Sequence, residues 1–224
     1  MYTLATIISF CGHIILGVLV YSKNKSSEIN KLFLLFTTTL AFYILASYLS
    51  STLADKSVFK IVYFIAQLIY ASGLAWIFSL CRGSNSKRTL LVLTIGFFLG
   101  ILSMVDNFAI KEIKSLGINN VELIIGGYYW VFIIYSLAVF ITAFSLLFRT
   151  IKNEKGIIKK KLMIITFGLI VFSFCAIITS VILPAMGIYQ LFYADILLSL
   201  IPIGSAAYAM TYYRHINLSI GLIL

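Results

Sequence analysis

Charged side chains are scarce in this sequence of 224 residues. Only 11% of the residues are Asp, Glu, Lys or Arg, whereas 62% are apolar and the mean hydropathy is +1.07. A soluble domain carries about 25% charged residues, so the composition excludes an ordinary soluble domain. It favours an integral membrane protein, and the apolar runs leave no length for a separate soluble domain.

Histidines, cysteines and the short signatures of enzymes are also few or missing. The two histidines, His13 and His215, are far apart, and the spacing of the three cysteines fits neither a metal site nor a disulfide framework. There is no glycine-rich phosphate loop before a helix, no Gly-x-Ser-x-Gly motif, and no lysine in the last apolar run that could anchor a retinal. These absences exclude most enzyme classes. We therefore expect no catalytic residue, no metal and no cofactor in this chain.

Long apolar runs are abundant. A helix of about 20 apolar residues crosses a bilayer core of about 30 Å, whereas the strands of a membrane barrel are about half as long and alternate in polarity. Seven runs have helical length, at 2–21, 32–53, 59–80, 89–105, 126–148, 162–183 and 195–213. The sequence therefore predicts an all-α integral membrane protein, a single seven-transmembrane-helix bundle over residues 1–224.

The basic residues lie on one side of these spans. Of 17 Lys and Arg residues, thirteen lie in the first, third and fifth connections or just after the last run, and only four border the even connections. Cytoplasmic loops carry such an excess. We therefore expect the N-terminus outside and the C-terminus in the cytoplasm. Helix orientation explains the net charge of +10, and no nucleic-acid partner is expected.

The fourth connection, 106–125, is the longest. It contains a turn signal at 116–120, followed by Val121–Ile125 and then Gly126 and Gly127. The segment 121–125 is either a short strand ended by the glycines, which we favour, or the start of the fifth helix. The whole connection is either a folded loop that caps a pocket or a solvated connector.

Asp195 is the acidic residue at the outer end of the last run. A carboxylate in a membrane span usually faces a bundle interior or water. Helical spacing predicts an inward stripe of small and polar residues, formed by Asp195, Ser199, Pro202, Ala206 and Ala209. Asp195 and Ser199 are therefore candidate ligand contacts. The alternative for Asp195 is a helix N-cap, which needs no ligand.

Three residues of the third span form a second candidate group. Tyr63, Gln67 and Tyr70 share one helix face, and an amide as deep in a span as that of Gln67 needs a partner. The face either lines a pocket or packs against a neighbouring helix, to which Gln67 makes an interhelical hydrogen bond. Trp130, at the start of the fifth span, is a further candidate, although aromatic residues are routine at a membrane surface.

Pro202 lies near the middle of the last span and removes one helix hydrogen bond. It is either a hinge or a static bend. The fifth connection, 149–161, has six basic residues and one acidic residue, so it either orients the helices and contacts anionic lipids or docks a cytoplasmic partner. Small residues indicate where helices approach closely, in the pairs Gly96/Gly100, Ala71/Ala75 and Ser205/Ala209.

The chain resembles the seven-helix N-terminal sensor region of bacterial histidine kinases over nearly its whole length. The best matches lie in the last third, at Gly156, Lys160–Leu162, Gly168, Ile182–Pro184, Gly187–Ile188, Ala206–Met210 and Tyr213–Arg214, with weaker ones at Asn30, Phe33 and Phe78. The family often has Arg-Gln where this chain has Lys160 and Lys161, and often Gly-Pro at 194–195. Asp195 therefore departs from the residue pair that the family often has at this position.

The resemblance implies a receptor module in the inner (cytoplasmic) membrane of a bacterium, with an output domain after the seventh helix. The chain is then a truncated protein or a free-standing sensor. We expect a membrane signal receptor, itself not an enzyme, that passes an external or lipid-borne signal to a cytoplasmic kinase or other output domain. The expected partners are membrane lipids, a small ligand or peptide signal, and that output domain; homodimerisation stays open. The alternative function is a small-solute transporter or permease.

Overall fold

The computed structural model describes residues 2–53, 55–83, 85–117, 120–178 and 194–212. This part of the chain contains eight helices and a two-stranded hairpin. In chain order they are α1 (Tyr2–Lys23), α2 (Glu28–Leu53), α3 (Lys56–Arg82), α4 (Ser86–Met104), β1 (Ile110–Gly117), β2 (Asn120–Ile125), α5 (Tyr129–Asn153), α6 (Gly156–Ile177), α7 (Ala194–Leu198) and α8 (Leu200–Tyr212).

The first five helices lie at the first five predicted spans, with ends that differ from the predicted ones by up to five residues. Each of α1 to α5 is long and apolar enough to cross a membrane. Helix α6 covers the described part of the sixth predicted span, whose last residues, 179–183, lie outside the described residues. The short helices α7 and α8 together occupy the seventh predicted span as far as Tyr212.

Polar caps make several helices longer than their apolar runs. Helix α3 begins at Lys56 because the Asp55 carboxylate accepts hydrogen bonds from the backbone N–H groups of Ser57, at 2.7 Å, and Val58, at 3.1 Å. Helix α4 begins at Ser86, where Asn85 is the N-cap residue. Such caps satisfy backbone donors that have no partner inside the helix, so a helix can start several residues before the lipid-facing part.

The predicted start of the fifth span at residue 126 is wrong, because Gly126 belongs to the end of the hairpin. Its N–H donates to the Ala109 carbonyl at 2.8 Å. A Cβ atom on Gly126 would lie only 2.7 Å from the carbonyl carbon of Phe108, so a larger residue would force the two backbones apart. The helix starts three residues later, at Tyr129.

The hairpin is the one departure from helical structure among the described residues. Strands β1 and β2 pair antiparallel, with Ile113 opposite Leu123. The extended segment at 121–125 is therefore confirmed, because it lies within β2. Strand β1 was not predicted, and the chain is mainly rather than wholly α-helical.

Six elements form a closed ring in which each contacts the next: α1, α2, α3, α5, α6 and α8, with α8 returning to α1. Helix α4 packs outside this ring against α3. The contact is made by small residues, as predicted, since Gly96 and Gly100 are buried. A Cβ atom on Gly96 would contact the side chain of Ala71 and lie 2.9 Å from the Gln67 carbonyl oxygen.

The largest buried cluster fills the ring at the end away from the hairpin. Its centre is Trp76 of α3, which is 1% exposed and lies between Phe33 and Phe36 of α2. Leu147 of α5 and Ile203 of α8 belong to the same cluster. Close packing of this kind fixes the helices relative to one another at this end.

We expect Gly96→Ala to lower the stability of the folded protein by about 1–3 kcal/mol, because an added methyl group overpacks the α3–α4 contact. The measurement is thermal unfolding of the purified protein in detergent. Gly204→Ala is the matched control, since a Cβ atom there meets nothing within 4 Å and alanine favours a helix over glycine by about 1 kcal/mol. Equal unfolding temperatures for the two variants would contradict the packing argument.

Candidate functional site

An aromatic cluster joins the hairpin to α3 and α5. Ile110 of β1 and Phe132 of α5 are buried, and Tyr63 and Tyr129 pack against them. The rings of Tyr63 and Tyr129 meet edge to face, with centroids 5.8 Å apart. The hairpin therefore closes one end of the bundle, which we call the hairpin end.

Ion pairs attach the start of the hairpin to α3. The carboxylate of Asp106 lies 2.5 Å from the ammonium group of Lys60 and 3.4 Å from that of Lys56. Hydrogen bonds and positive charge from the two lysines hold the pKa of Asp106 below its usual value, and Lys60 has the larger effect. Because Asp106 is exposed to solvent, these pairs contribute little to stability. The hairpin is thus attached at this point by a contact that is easy to break.

Two of the three candidates of the third span, Tyr63 and Tyr70, lie at the contact of α3 with α5, and Gln67 between them is buried. Gln67 is 1% exposed. Tyr70 meets the ring of Tyr135 on α5 edge to face, at 6.3 Å between centroids. The predicted shared face of Tyr63, Gln67 and Tyr70 is therefore directed towards the interior at the α5 side of α3.

Two buried polar atoms in this region have no hydrogen-bond partner within the described part of the chain. They are Oε1 of Gln67 and the hydroxyl oxygen of Tyr135. Leaving a buried polar atom unpaired costs about 1–3 kcal/mol, and each such atom asks for an explanation. A carbonyl oxygen accepts hydrogen bonds and a hydroxyl group accepts or donates them, so both atoms have an acceptor site open to a group that donates hydrogen bonds.

Trp130 does not join this region. Its side chain is 55% exposed, in keeping with the membrane-surface alternative. The α5 residues that face α3 are Tyr129, Phe132 and Tyr135, which the sequence analysis did not single out. Their spacing of three residues was the available signal, because it places them on one helix face.

The seventh span is broken at Ser199, between α7 and α8. Pro202 has no N–H group and its ring crowds the carbonyl of Leu198, one turn earlier. Beside the break, the carbonyl of Ile196 accepts hydrogen bonds from two hydroxyl groups, that of Ser9 at 2.7 Å and that of Ser199 at 2.6 Å. The break therefore precedes Pro202 by about one turn, and α1 supplies one of its hydrogen bonds.

His13 of α1 also contacts the break, in addition to Ser9. It is fully buried, with Nδ1 2.6 Å from the Ser9 carbonyl and Nε2 3.3 Å from the Ser199 hydroxyl. The sequence analysis used His13 only to exclude metal binding. Its position one turn after Ser9 in an apolar helix was the available signal.

The Ser199 hydroxyl has one proton and two neighbouring acceptors, Nε2 of His13 and the Ile196 carbonyl. A carbonyl only accepts, so Nδ1 of His13 carries the proton when it bonds Ser9. In the neutral ring Nε2 is then an acceptor, and the single Ser199 hydroxyl proton serves either Nε2 or the Ile196 carbonyl. Since the Ser9 hydroxyl already donates to Ile196, both positions of the Ser199 proton leave that carbonyl bonded.

The predicted inward stripe of the seventh span is confirmed for four of its five members. Ser199, Pro202, Ala206 and Ala209 are buried. Asp195 is the second residue of α7, and its side chain lies outside the described part of the structure. Its role, as a ligand contact or a helix cap, therefore stays a prediction.

The sequence family described as the N-terminal seven-transmembrane region of histidine kinase matches residues 5–220. The chain belongs to this family. It is therefore part of a multi-pass membrane protein, and family membership supports a sensory role in a histidine kinase, for which the implied partner is a cytoplasmic output domain. The region itself is the non-catalytic part. Comparison with curated proteins gives no match. The resemblance is thus confirmed, and it favours the sensor over the transporter.

Within this sensor region, we expect the ion pairs of Asp106 to retain the hairpin only above the lowered pKa of Asp106. The attachment is complete at neutral pH and is lost as the pH falls through that pKa, because protonation removes the carboxylate charge. Asp106→Asn should therefore speed hydrogen exchange of the β1 amides about twofold to fivefold at pH 7, and the difference from wild type should shrink as the pH falls through the lowered pKa of Asp106.

Glu112→Gln, a change at an exposed acidic residue of β1, is the matched control. Equal exchange at pH 7 in wild type and Asp106→Asn would show that the hairpin does not depend on these pairs.

Proposed function

We propose that this region is a seven-span receptor in the inner membrane of a bacterium, with the N-terminus outside and the C-terminus in the cytoplasm. The support is the excess of basic residues at one set of connections. With this orientation the hairpin end faces outwards, and the basic segment 149–161 lies at the cytoplasmic surface.

The signal, in this proposal, is a small molecule or peptide from outside or from the lipid phase. It binds beneath the hairpin, between α3 and α5, where Tyr63 and Tyr70 provide aromatic walls. The unpaired acceptor of Gln67 and the hydroxyl group of Tyr135 favour a ligand that donates hydrogen bonds. The exposed ion pairs of Asp106 allow the hairpin to move aside for entry.

The seventh span transmits the change to the cytoplasm. The observation that carries this step is the break at Ser199, which α1 bonds directly. The Ser199 hydroxyl has two alternative acceptors, so the contact between α1 and the break has two bonded arrangements. A ligand drives such an element only when it binds the two arrangements with different affinity.

Helix α8 carries the movement towards residue 212 and the segment beyond it. Its central part packs closely on α6, because a Cβ atom on Gly168 would lie 3.2 Å from the Cα atom of Pro202. Helices packed this closely shift as rigid bodies rather than bend. A change at the break therefore moves α8 against α6.

The test uses the full-length kinase in membrane vesicles, with autophosphorylation as the readout. Pro202→Ala restores the missing backbone donor and should straighten the break, which changes the basal rate at least fivefold, the effect of about 1 kcal/mol on a two-state equilibrium. Asp195→Asn should also change the basal autophosphorylation rate if the Asp195 carboxylate contacts the signal and does not cap α7.

Ile201→Ala is the matched control, since Ile201 is next to Pro202 but faces away from the interior. Wild-type autophosphorylation in both Pro202→Ala and Asp195→Asn would rule out the seventh span as the transmitting element.

A further inference from the structure

A groove of about 420 Å³ lies between α6 and α8. One face of α6 forms most of its wall, at successive helical turns, and α8 adds a single residue. The lining residues are Lys160, Met163, Ile164, Phe167 and Ser205. The groove is therefore apolar along its length and has one cationic group, at the end where α6 begins.

The close contact at Gly168 ends the groove on the other side. A Cβ atom on Gly168 would lie 2.7 Å from the Cβ atom of Ser205, so the two helices nearly touch there. All the α6 residues that line the groove precede Gly168. Anything that occupies the groove therefore lies beside the contact that positions α8.

The charges around the groove indicate which kind of molecule binds there. Lys160 is exposed, and the segment 149–161 that leads to it has six basic residues and one acidic residue. No acidic side chain lines the groove among the described residues. A second copy of the chain would bring the same positive charges to this place, whereas basic pockets between membrane helices bind anionic lipid head groups.

We propose that this groove binds one anionic phospholipid. Its phosphate pairs with the ammonium group of Lys160, and one acyl chain lies along Met163, Ile164 and Phe167. The inference rests on α6 crossing the bilayer, as in the proposed function, and it does not depend on the signal. A lipid in this position fills the space between α6 and the helix proposed to transmit the change.

The experiment counts bound lipid on the full-length protein by native mass spectrometry after extraction from vesicles of phosphatidylcholine with a rising fraction of phosphatidylglycerol. We expect one phosphatidylglycerol to be retained in preference to phosphatidylcholine. Lys160→Gln should weaken that retention about fivefold, since one lysine near the surface contributes about 1 kcal/mol. Met163→Trp should weaken it as well, by filling the apolar part.

Two variants serve as matched controls. Lys155→Gln removes an exposed charge from the same basic segment outside the groove, and Ile170→Trp enlarges a side chain that is as exposed as that of Met163, at 43%, but does not line the groove. Both should retain lipid like the wild type. Glycerol phosphate, which has the head-group charge and no acyl chain, should not displace the bound lipid.

Three results would overturn the proposal: equal losses in Lys160→Gln and Lys155→Gln, wild-type retention in Met163→Trp, or displacement of the lipid by glycerol phosphate. A change of oligomeric state in Met163→Trp would instead assign the groove to a second copy of the chain. Mass spectrometry measures bound lipid without any kinase activity. Failure of the lipid proposal can therefore be distinguished from failure of the proposed function, which is tested by autophosphorylation.

Discussion

The hydrogen bonds between α1 and the break in the seventh span are the interaction on which the rest of the arrangement depends. A bilayer offers no water to the backbone groups at a helix break. The carbonyl of Ile196, beside the break, accepts a hydrogen bond from the hydroxyl of Ser9, and His13 contacts Ser199 from the same helix. This requirement brings the last span back to the first and closes the ring of helices.

The ring has a closely packed end and a polar, aromatic end. Around Trp76 the side chains are buried and interlocked, whereas at the hairpin end the buried atoms of Gln67 and Tyr135 have no partner in the described part of the chain. Helix α3 belongs to both ends, because it contacts α2, α4, α5 and β1. In the proposed function, a change beneath the hairpin reaches the packed end along α3. From α3 the ring leads to α8 by two routes, through α2 and α1 and through α5 and α6.

The sequence was sufficient for the helices because membrane spans depend mainly on length and hydropathy. It also placed Gly96 and Gly100 correctly in a helix contact, since small residues have few other uses in a span. Strand β1 could not be predicted in the same way, because its apolar residues Ile110, Ile113 and Leu116 recur at every third position and not in the alternation typical of a strand. The segment is extended because β2 pairs with it.

The polar contact was missed for a related reason. Ser9 and His13 are isolated polar residues in an apolar helix, and only the tertiary structure shows that they meet the break. The sequence placed the hinge at Pro202, whereas the helix breaks at Ser199, because a proline disturbs the turn that precedes it. The sequence likewise did not show which side of α5 packs against α3. Trp130 was therefore predicted as a ligand contact, whereas its neighbour Tyr129 faces α3.

The central claim, that α8 moves against α6 to change the output, is tested most directly by joining the two helices. Gly168→Cys with Ser205→Cys, in a full-length kinase whose native cysteines, Cys11, Cys81 and Cys175 among them, are replaced by alanine, places the sulfurs for a disulfide once the helices separate by about 1 Å. The account predicts that oxidation changes autophosphorylation at least fivefold, as expected of about 1 kcal/mol, and that reduction restores it, while Gly168→Cys alone does not respond. The same rate before and after the disulfide forms, verified by mass spectrometry, would contradict it.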